Sequence, residues 1–393
     1  MESKAYPDGV SDFKALVTGN YHFVDKTLMI RDLCGVKNQT MLFTRPRRFG
    51  KSMNLSMLDY FFNIRYADEP DIFEGLKISS CESCRSYRNA YPVIKLNFGD
   101  FSCYSGEELL DCIRSMNDSL ANDILRYIDS GKLSVRDTQF LERCSDPSLN
   151  RIDTLKAVRK MCGLLRSAYG RKVLILVDEY DYCIQNIHSR EAYDSVISEL
   201  RPFMEQTFKF NEDCEFAVVT GIMPLAKTSM LSSFNNANVC SIPDSRGEEY
   251  FGFTEAEVSE LLESTGNGSG CLSEIRRWYD GYRFGDADVY NPYSVMMYLS
   301  RGRRTEAYWN NMTGGGLSED ILSNMGAEPL IELKGLREKT GSEILSPIST
   351  RIAYTDIITP PPNLMPCTRI WPWWDTSTPS KRGRLRRGFP SAG

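Results

Sequence analysis

The stretch FTRPRRFGKSMNLSML, residues 43–58, joins the end of an apolar strand to the start of a helix through a turn. Its Gly50-Lys51-Ser52 tail is typical of a phosphate-binding loop. In such a loop glycine lets the backbone approach a phosphate, lysine reaches the β- and γ-phosphates, and the serine hydroxyl ligates magnesium. Arg45 occupies the position where such a loop normally starts with glycine. Taken alone, the tripeptide is weak evidence, because an exposed loop with a lysine is the simpler explanation.

A second stretch, VLILVDEYD at residues 173–181, supplies the acidic partner that such a loop requires. Five apolar residues predict a buried strand, and the strand ends in Asp178 and Glu179. In this position Asp178 would hold magnesium and Glu179 would polarise the water that attacks the γ-phosphate. A buried strand that ends in solvated acids is the alternative. Both stretches together, in this order, favour nucleotide binding.

The remaining apolar runs predict an α/β fold, with a parallel sheet and flanking helices. Runs bounded by turn residues or charges predict buried parallel strands. They lie at Thr40 to Thr44, Val93 to Phe98, Lys172 to Val177 and Glu215 to Thr220, with a weaker run near Asn238 to Ile242. Apolar residues with helical spacing lie between them. Alternating strands and helices over about 200 residues predict a doubly wound P-loop NTPase architecture.

The strand of residues 215–220 is expected to insert between the loop strand and the acidic strand. Thr220 would then end that strand, with its hydroxyl directed at the γ-phosphate, where it could help to order the water. Capping of a turn by Thr220 explains the sequence equally well.

A smaller region, residues 246–310, is predicted to be mostly helical and to act as a lid. It opens with Thr254-Glu-Ala-Glu257, a capping-box pattern that precedes a run of apolar residues at helical spacing.

Composition excludes several classes of protein. The chain has 393 residues, of which 41% are hydrophobic and 25% charged, and its net charge of −5 gives no indication about a nucleic-acid partner. The apolar runs are too short to cross a bilayer, and the N-terminus lacks the pattern of a signal peptide. The 12 cysteines are scattered, which favours reduced thiols in the cytoplasm. For Cys81-x-x-Cys84, ordinary thiols are favoured over a metal or redox role.

The combined motifs resemble the bacterial AAA-ATPase-like family, whose members usually carry a PD-(D/E)XK nuclease-like domain at the C-terminus. The resemblance runs from about Tyr6 to about Ile357. It rests on YHFVDKT (21–27), FTRPRRFGKS (43–52), LILVDEYD (174–181), TGI (220–222), FGFTEAEV (251–258), WYDGYRFG (278–285) and NPYS (291–294). The family typically writes its loop as Arg-Pro-Arg-Arg-Phe-Gly-Lys, so Arg45 is the family's own form. The resemblance implies an ASCE-type P-loop ATPase with ATP and Mg²⁺ as ligands.

The predicted site follows from the two motifs and this resemblance. The expected catalytic residues are Lys51, Glu179 and Thr220, and the expected metal ligands are Ser52 and Asp178. The nucleotide is expected to contact the loop at Arg45, Pro46, Arg47, Arg48, Phe49, Gly50, Lys51 and Ser52. One or two of the three arginines should face phosphate, since guanidinium groups suit its oxygens.

Four residues outside the loop have further assignments. Asp25 and Lys26 lie where related ATPases often contact the base. Arg246 and Arg283 are candidates for an arginine finger or lid sensor, although a surface salt bridge is the favoured role for each.

The C-terminal part gives weaker indications. Glu332-Leu333-Lys334, preceded by Asp320, matches half of a nuclease motif, but the segment has helical character, so a helix-surface ion pair is favoured. Residues 360–393 contain seven prolines, six basic residues and one acidic residue and lack any period. They predict either a frameshifted end, with the nuclease-like domain missing, or a basic aromatic tail that touches nucleic acid.

These observations predict a cytoplasmic ATP-binding protein in which Mg²⁺-dependent hydrolysis drives a conformational change. The alternative is a regulatory module that binds DNA, RNA or a protein according to nucleotide occupancy, with little turnover. The expected divisions are an N-terminal segment (1–35), the ATPase core (36–245), the lid-like region (246–310), a nuclease-associated stub (311–359) and the tail (360–393).

Overall fold

The computed structural model describes residues 4–185, 187, 189–222, 234, 237–267 and 270–308, with three further strands at Ile344–Leu345, Thr378–Pro379 and Arg384–Arg386. Asp320, Glu332 and Lys334 of the nuclease-like pattern lie outside these residues. The three isolated strands form a small antiparallel sheet in which the last strand pairs with the other two. In the described part of the chain, every helix is too short or too polar to cross a membrane.

A five-stranded parallel sheet forms the centre of the larger unit. Its strands are β1 (Gln39–Thr44), β2 (Val93–Asn97), β3 (Val173–Asp178), β4 (Cys214–Gly221) and β5 (Ala237–Cys240), and they lie in the order β2-β3-β4-β1-β5. All pairs within it are parallel. The three central strands are almost entirely buried, as apolar runs covered on both faces should be. The predicted α/β fold and the insertion of β4 between β1 and β3 are therefore confirmed.

Helices cover both faces of this sheet, and most begin at a residue whose side chain caps the first turn. Ser105 caps α4, Asn150 caps α6 and Ser189 caps α8, each by accepting a backbone N–H from the first turn. The helices are α1 (Phe13–Thr18), α2 (Leu28–Leu33), α3 (Lys51–Phe62), α4 (Gly106–Tyr127), α5 (Val135–Arg143), α6 (Arg151–Tyr169), α7 (Tyr182–Gln185) and α8 (Arg190–Met204). Short 3₁₀ turns at Ile64–Tyr66, Lys77–Ser80, Glu82–Tyr87 and Ser130–Lys132, and a π-helical turn at Glu205–Lys209, complete this unit.

The following unit consists mainly of helices, as expected, and adds a small antiparallel sheet that the sequence did not predict. Strands β6 (Phe253–Thr254), β7 (Tyr282–Phe284) and β8 (Ala287–Tyr290) pair in the order β6-β8-β7. Helices α9 (Glu255–Ser264), α10 (Gly270–Tyr279) and α11 (Pro292–Ser300) pack a second hydrophobic cluster. The predicted capping box is confirmed, because Thr254 and Glu257 exchange side chain-to-backbone hydrogen bonds at the start of α9. We call residues 247–308 the second unit.

Candidate nucleotide site

The strand order brings three polar chain segments to one edge of the sheet. In the parallel register Phe43 lies opposite Thr220, and Val219 lies opposite Val177. The carboxyl ends of β1, β3 and β4 therefore meet, and ligands of open α/β sheets bind at this edge. The loop after β1 and the acids after β3 thus lie on either side of the end of β4.

The loop between β1 and α3 turns through two residues with left-handed backbone. Arg48 has φ +69° and Gly50 has φ +81°, after which α3 begins at Lys51. Nothing lies within 4 Å of where a Cβ on Gly50 would be, so the glycine is needed for its backbone angle and leaves open space over the helix. Free N–H groups and the helix dipole make such a helix start favourable for an anion.

The side chain of Lys51 is buried and turned back onto the loop. Its ammonium donates to the carbonyl oxygens of Arg45 at 3.1 Å and Pro46 at 2.8 Å. Burial lowers the pKa of Lys51 to about 8, although the carboxylates of Asp181, Asp178 and Glu179 act in the opposite direction. A phosphate that reached this ammonium would replace loop carbonyls as its acceptor.

The two acids at the end of β3 have different environments. The Oδ1 atom of Asp178 accepts hydrogen bonds from the Thr220 hydroxyl at 2.6 Å and from the Glu179 backbone N–H at 3.0 Å. Glu179 has a left-handed φ of +51°, an uncommon conformation for a side chain of its length. Burial raises the pKa of Glu179, and the negative charge of Asp178 raises it further. Asp178 is thus fixed by neighbours, while the Glu179 carboxylate faces the cavity described below.

The position of Thr220 differs from the expectation that its hydroxyl faces a γ-phosphate. Thr220 is fully buried, and its hydroxyl donates sideways to Asp178 on the adjacent strand. Parallel pairing of β3 and β4 places the two side chains next to each other, and the buried hydroxyl needs an acceptor. Thr220 therefore positions Asp178.

Gly99 leaves room for the Glu179 carboxylate. A Cβ added at Gly99 would lie 2.8 Å from Oε2 of Glu179 and 3.1 Å from Oδ1 of Asn97, the residue that ends β2. The sequence signal was only a glycine two residues beyond a strand, so the sequence did not identify it. Close approach of Glu179 to the backbone explains why the position has no side chain.

Arg45 does not line the cavity, contrary to its predicted contact with phosphate. Its side chain is fully buried, and the guanidinium donates to the carbonyl oxygens of Thr44 at 2.9 Å, Cys240 at 2.7 Å and Gly247 at 3.3 Å. Burial lowers its pKa to about 10. The guanidinium also lies 4.8 Å from the ring centroid of Phe284. Arg45 thus joins the loop to β5 and to the second unit.

Arg47 and Arg48 are the exposed arginines of the loop, and both line the cavity. Arg47 donates to the side-chain oxygen of Gln185 at 3.0 Å, and the guanidinium of Arg48 lies 4.5 Å from the ring centroid of Tyr293. The expectation that one or two loop arginines face phosphate stays a prediction, for which these two are the candidates that line the cavity.

Phe49 and Pro46 have mainly structural contacts. Phe49 is buried and packs its ring against Tyr282 at 4.8 Å and Phe284 at 5.2 Å between centroids, beside Gly252. Pro46 is buried and presents its carbonyl to Lys51. Together with Arg45, these residues attach the loop firmly to its surroundings.

The upstream pair Asp25 and Lys26 forms internal bonds, which differs from the expected contact with a base. The carboxylate of Asp25 accepts the backbone N–H groups of Thr27 at 2.8 Å and Lys77 at 2.7 Å. Lys26 lines the cavity, but its ammonium pairs with Glu257 and donates to the Glu249 carbonyl at 2.6 Å. Lys26 therefore fastens the N-terminal segment to the second unit.

The two candidate finger arginines are not at the cavity wall. Arg283 pairs with Asp288 across the β7–β8 hairpin at 3.4 Å, as the favoured salt-bridge reading predicts. Arg246 is exposed and precedes Gly247, whose carbonyl accepts from Arg45.

A cavity of about 510 Å³ extends from the loop towards the second unit. Its polar end is lined by Arg47, Arg48, Lys51, Ser52 and Glu179. Its apolar end is lined by the N-terminal segment and the second unit, through Val10, Phe23, Phe253, Tyr293 and Met296. Both the size and this division into a charged end and an apolar end suit a nucleotide.

The donors at the polar end fit a magnesium ion that is held mainly by phosphate. Ser52 is exposed at the first turn of α3, and Asp178 is the last residue of β3. Within the described residues no group of three or more histidine, cysteine or acidic side chains could hold a metal by itself. Magnesium at a nucleotide needs only one or two protein ligands beside phosphate and water.

The sheet order and the strand-loop-helix unit define a P-loop type of nucleotide-binding fold. Comparison with known proteins agrees, because the family described as "Predicted AAA-ATPase" matches residues 7–231. This match covers more than half of the chain, and the chain belongs to this AAA-ATPase-like family. Membership supports nucleotide binding or ATPase activity in general.

The chain is also similar to a longer bacterial protein. That relative, described as "Uncharacterized protein in vnfD 5'region" from Azotobacter chroococcum mcd 1, is 28% identical over 315 residues. The alignment covers 79% of this chain and 54% of the relative, so the chain spans about half the length of the protein that it matches.

Proposed function

We propose that this protein binds ATP with Mg²⁺ and hydrolyses it to ADP and phosphate. The observation that carries this proposal is the meeting of Lys51, Asp178 and Glu179 at one sheet edge, beside a cavity that also contains the start of α3. Hydrolysis of a nucleoside triphosphate uses a helix start and a lysine to bind the phosphates, and acidic residues to hold magnesium and to orient the attacking water. The start of α3, Lys51, Asp178 and Glu179 are the corresponding groups here.

The polar end of the cavity would bind the phosphates. The N–H groups at the start of α3 and the ammonium of Lys51 offer hydrogen-bond donors to phosphate oxygens. The open space over Gly50 leaves room for the phosphates. Arg47 and Arg48 add guanidinium groups at the rim. We infer that Lys51 exchanges its loop carbonyls for phosphate oxygens on binding.

The apolar end would hold the base. Val10 and Phe23 from the N-terminal segment and Tyr293 and Met296 from the second unit all line the cavity. A flat base inserted between these side chains would bury apolar surface and stack on an aromatic ring. Binding would thus bring the second unit into contact with the same ligand as the loop.

Ser52 and Asp178 are the residues that we propose to hold magnesium. When bound, the ion would neutralise charge on the phosphate oxygens. Thr220 keeps the Asp178 carboxylate oriented through its 2.6 Å hydrogen bond. Glu179, next in the chain, would accept a hydrogen bond from the attacking water and polarise it. Its raised pKa makes it a better base than an exposed glutamate.

Nucleotide occupancy would be transmitted to the second unit through the loop. Arg45 connects the loop to the Gly247 carbonyl, Phe49 packs against Phe284, and Asn54 of α3 donates to the Tyr250 carbonyl at 2.9 Å. Because the side chains of Arg45, Phe49 and Asn54 are themselves buried, a change in the loop would displace the second unit. We propose this as the conformational output of hydrolysis.

Two substitutions test the proposal by phosphate release and by isothermal titration with ATP. Lys51→Ala should abolish both ATP binding and turnover, while Glu179→Gln should retain binding and stop turnover. Lys160→Ala and Glu142→Gln change exposed residues on α6 and α5 and should leave both quantities unchanged. Unchanged turnover in Lys51→Ala and Glu179→Gln would refute the assignment.

A regulatory binding module with little turnover is the second candidate. The buried contacts between the loop and the second unit favour it, because they would transmit occupancy without any chemistry. Tight ATP binding without phosphate release would select this function. Turnover measured with and without DNA or RNA would then show whether a nucleic acid is the partner that responds.

A further inference from the structure

Two cysteines lie in contact just after the 3₁₀ turn Lys77–Ser80. Cys81 precedes the 3₁₀ turn Glu82–Tyr87, and Cys84 lies within it. Their Sγ atoms are 2.7 Å apart. A 3₁₀ helix has three residues per turn, so side chains three positions apart lie over one another. The local backbone therefore directs the two thiols at each other.

The two thiols have different environments. Cys84 is buried, whereas Cys81 is half-buried and also contacts the Ser83 hydroxyl at 3.3 Å. The hydrogen bond from Cys84, followed by that from Ser83, lowers the pKa of Cys81. Burial raises the pKa of Cys84. Thiolate forms more readily on the accessible sulfur, and this is the sulfur that an external reagent could reach.

Cys34 at the end of α2 is a third thiol beside this pair. Burial raises its pKa, and its hydrogen bond with Cys84 adds to this effect. A shared zinc ion does not explain the cluster, because two thiolates on tetrahedral zinc stand about 3.8 Å apart. The 2.7 Å contact between Cys81 and Cys84 is shorter than that. This short contact suits two sulfur atoms that form and break a disulfide bond with each other.

We propose that Cys81 and Cys84 are a redox-active dithiol, which small-molecule disulfides such as oxidised glutathione convert reversibly into an intramolecular disulfide. The Cys81 thiolate attacks one sulfur of oxidised glutathione, forms a mixed disulfide and releases one glutathione thiolate. Cys84, after losing its proton to solvent, attacks the Cys81 sulfur and displaces the second glutathione. The protein dithiol is oxidised by two electrons, and oxidised glutathione is reduced to two glutathione molecules.

The dithiol is tied to the wall of the nucleotide cavity. The backbone N–H groups of Lys77 and Ile78, just before Cys81, donate to Asp25 at 2.7 Å and Thr27 at 3.1 Å. Lys26 lies between these two acceptors and lines the cavity. The dithiol itself is outside the proposed catalytic groups, so its chemistry can be tested whether or not ATP is hydrolysed.

Tryptic mapping of the intact, folded chain tests the proposal. Trypsin releases ISSCESCR, residues 78–85, which contains both cysteines, while Cys34 falls in the separate peptide of residues 32–37. The native protein is treated with oxidised glutathione, it is then unfolded in denaturant so that N-ethylmaleimide reaches and blocks every free thiol, and it is digested. Peptide 78–85 should be lighter by two hydrogen atoms and free of maleimide. Dithiothreitol before blocking should restore two maleimide groups.

Variants identify the sulfur atoms involved. Cys34→Ser should keep the bridge within peptide 78–85, and Cys81→Ser should abolish it while leaving ATP turnover of the reduced protein unchanged. Two maleimide groups on peptide 78–85 after oxidation would overturn the proposal. Glutathione adducts on both cysteines, or a link between peptides 32–37 and 78–85, would also overturn it.

Discussion

The space that Gly99 leaves beside Glu179 gives a sharp prediction about turnover. In Gly99→Ala the new Cβ would lie 2.8 Å from Oε2 of Glu179, which is 0.6 Å short of the 3.4 Å at which ordinary contact begins. The same Cβ would lie 3.1 Å from Oδ1 of Asn97, which is also closer than ordinary contact. The carboxylate of Glu179 must therefore move.

The size of the effect follows from this displacement. A misplacement of 1 Å at a reacting group costs about 100-fold in rate, so a shift of about 0.6 Å should lower kcat roughly tenfold. The fold should tolerate alanine, since Gly99 does not have a left-handed φ and the nearest atom is the end of a flexible side chain. ATP affinity should remain unchanged, because in our proposal Glu179 contacts the water.

Steady-state phosphate release and ATP titration on wild type and Gly99→Ala measure both quantities. Gly270→Ala is the matched control, since a Cβ there has nothing within 4 Å and helix α10 accepts alanine. A kcat equal to that of wild type would show that the position of the Glu179 carboxylate beside Gly99 does not limit turnover. A loss of ATP affinity at unchanged kcat would show that this part of the site contacts ATP and not the water.

Three other expectations follow from the contacts of the site. Thr220→Val removes the 2.6 Å hydrogen bond to Asp178 at nearly constant side-chain volume. We expect magnesium-dependent turnover to fall about tenfold. A magnesium titration of phosphate release should show that the variant needs a higher magnesium concentration. Arg45→Met removes the donor from two buried carbonyl acceptors, Thr44 and Cys240, and from the part-buried Gly247, and it should lower the free energy of unfolding by about 3 kcal/mol in urea denaturation. Since the pKa of Lys51 is lowered to about 8, its ammonium loses its charge above that pH in the free protein, so ATP affinity should fall between pH 7 and pH 9 in calorimetric titration.

Much of the fold could be predicted from the sequence because buried parallel strands are short apolar runs. The strand Val173–Asp178 was recognisable from five apolar residues followed by acids, and each of the other four core strands lies within two residues of its expected ends. The second unit was harder to predict. Its sheet consists of strands of two to four residues, which are too short to show alternation between apolar and polar positions.

The arrangement of the side chains was less predictable than the strands, because it depends on contacts between distant residues. The sequence shows that Arg45 is charged, but its burial depends on the carbonyls of Cys240 and Gly247, about 200 positions away. The direction of the Thr220 hydroxyl likewise depends on which strand lies beside β4. The lysine and the two acids could be recognised from their own motifs, whereas the space at Gly99 depends on where Glu179 lies.

Hydrolysis of ATP with Glu179 acting on the attacking water is tested by comparing wild type with a single variant of that residue. Magnesium-dependent phosphate release and ATP affinity are measured on wild type and on Glu179→Gln, with Glu142→Gln as the surface control. We predict that Glu179→Gln binds ATP as wild type does and releases at least about 100-fold less phosphate per unit time. Equal phosphate release by wild type and Glu179→Gln would show that Glu179 does not act on the attacking water.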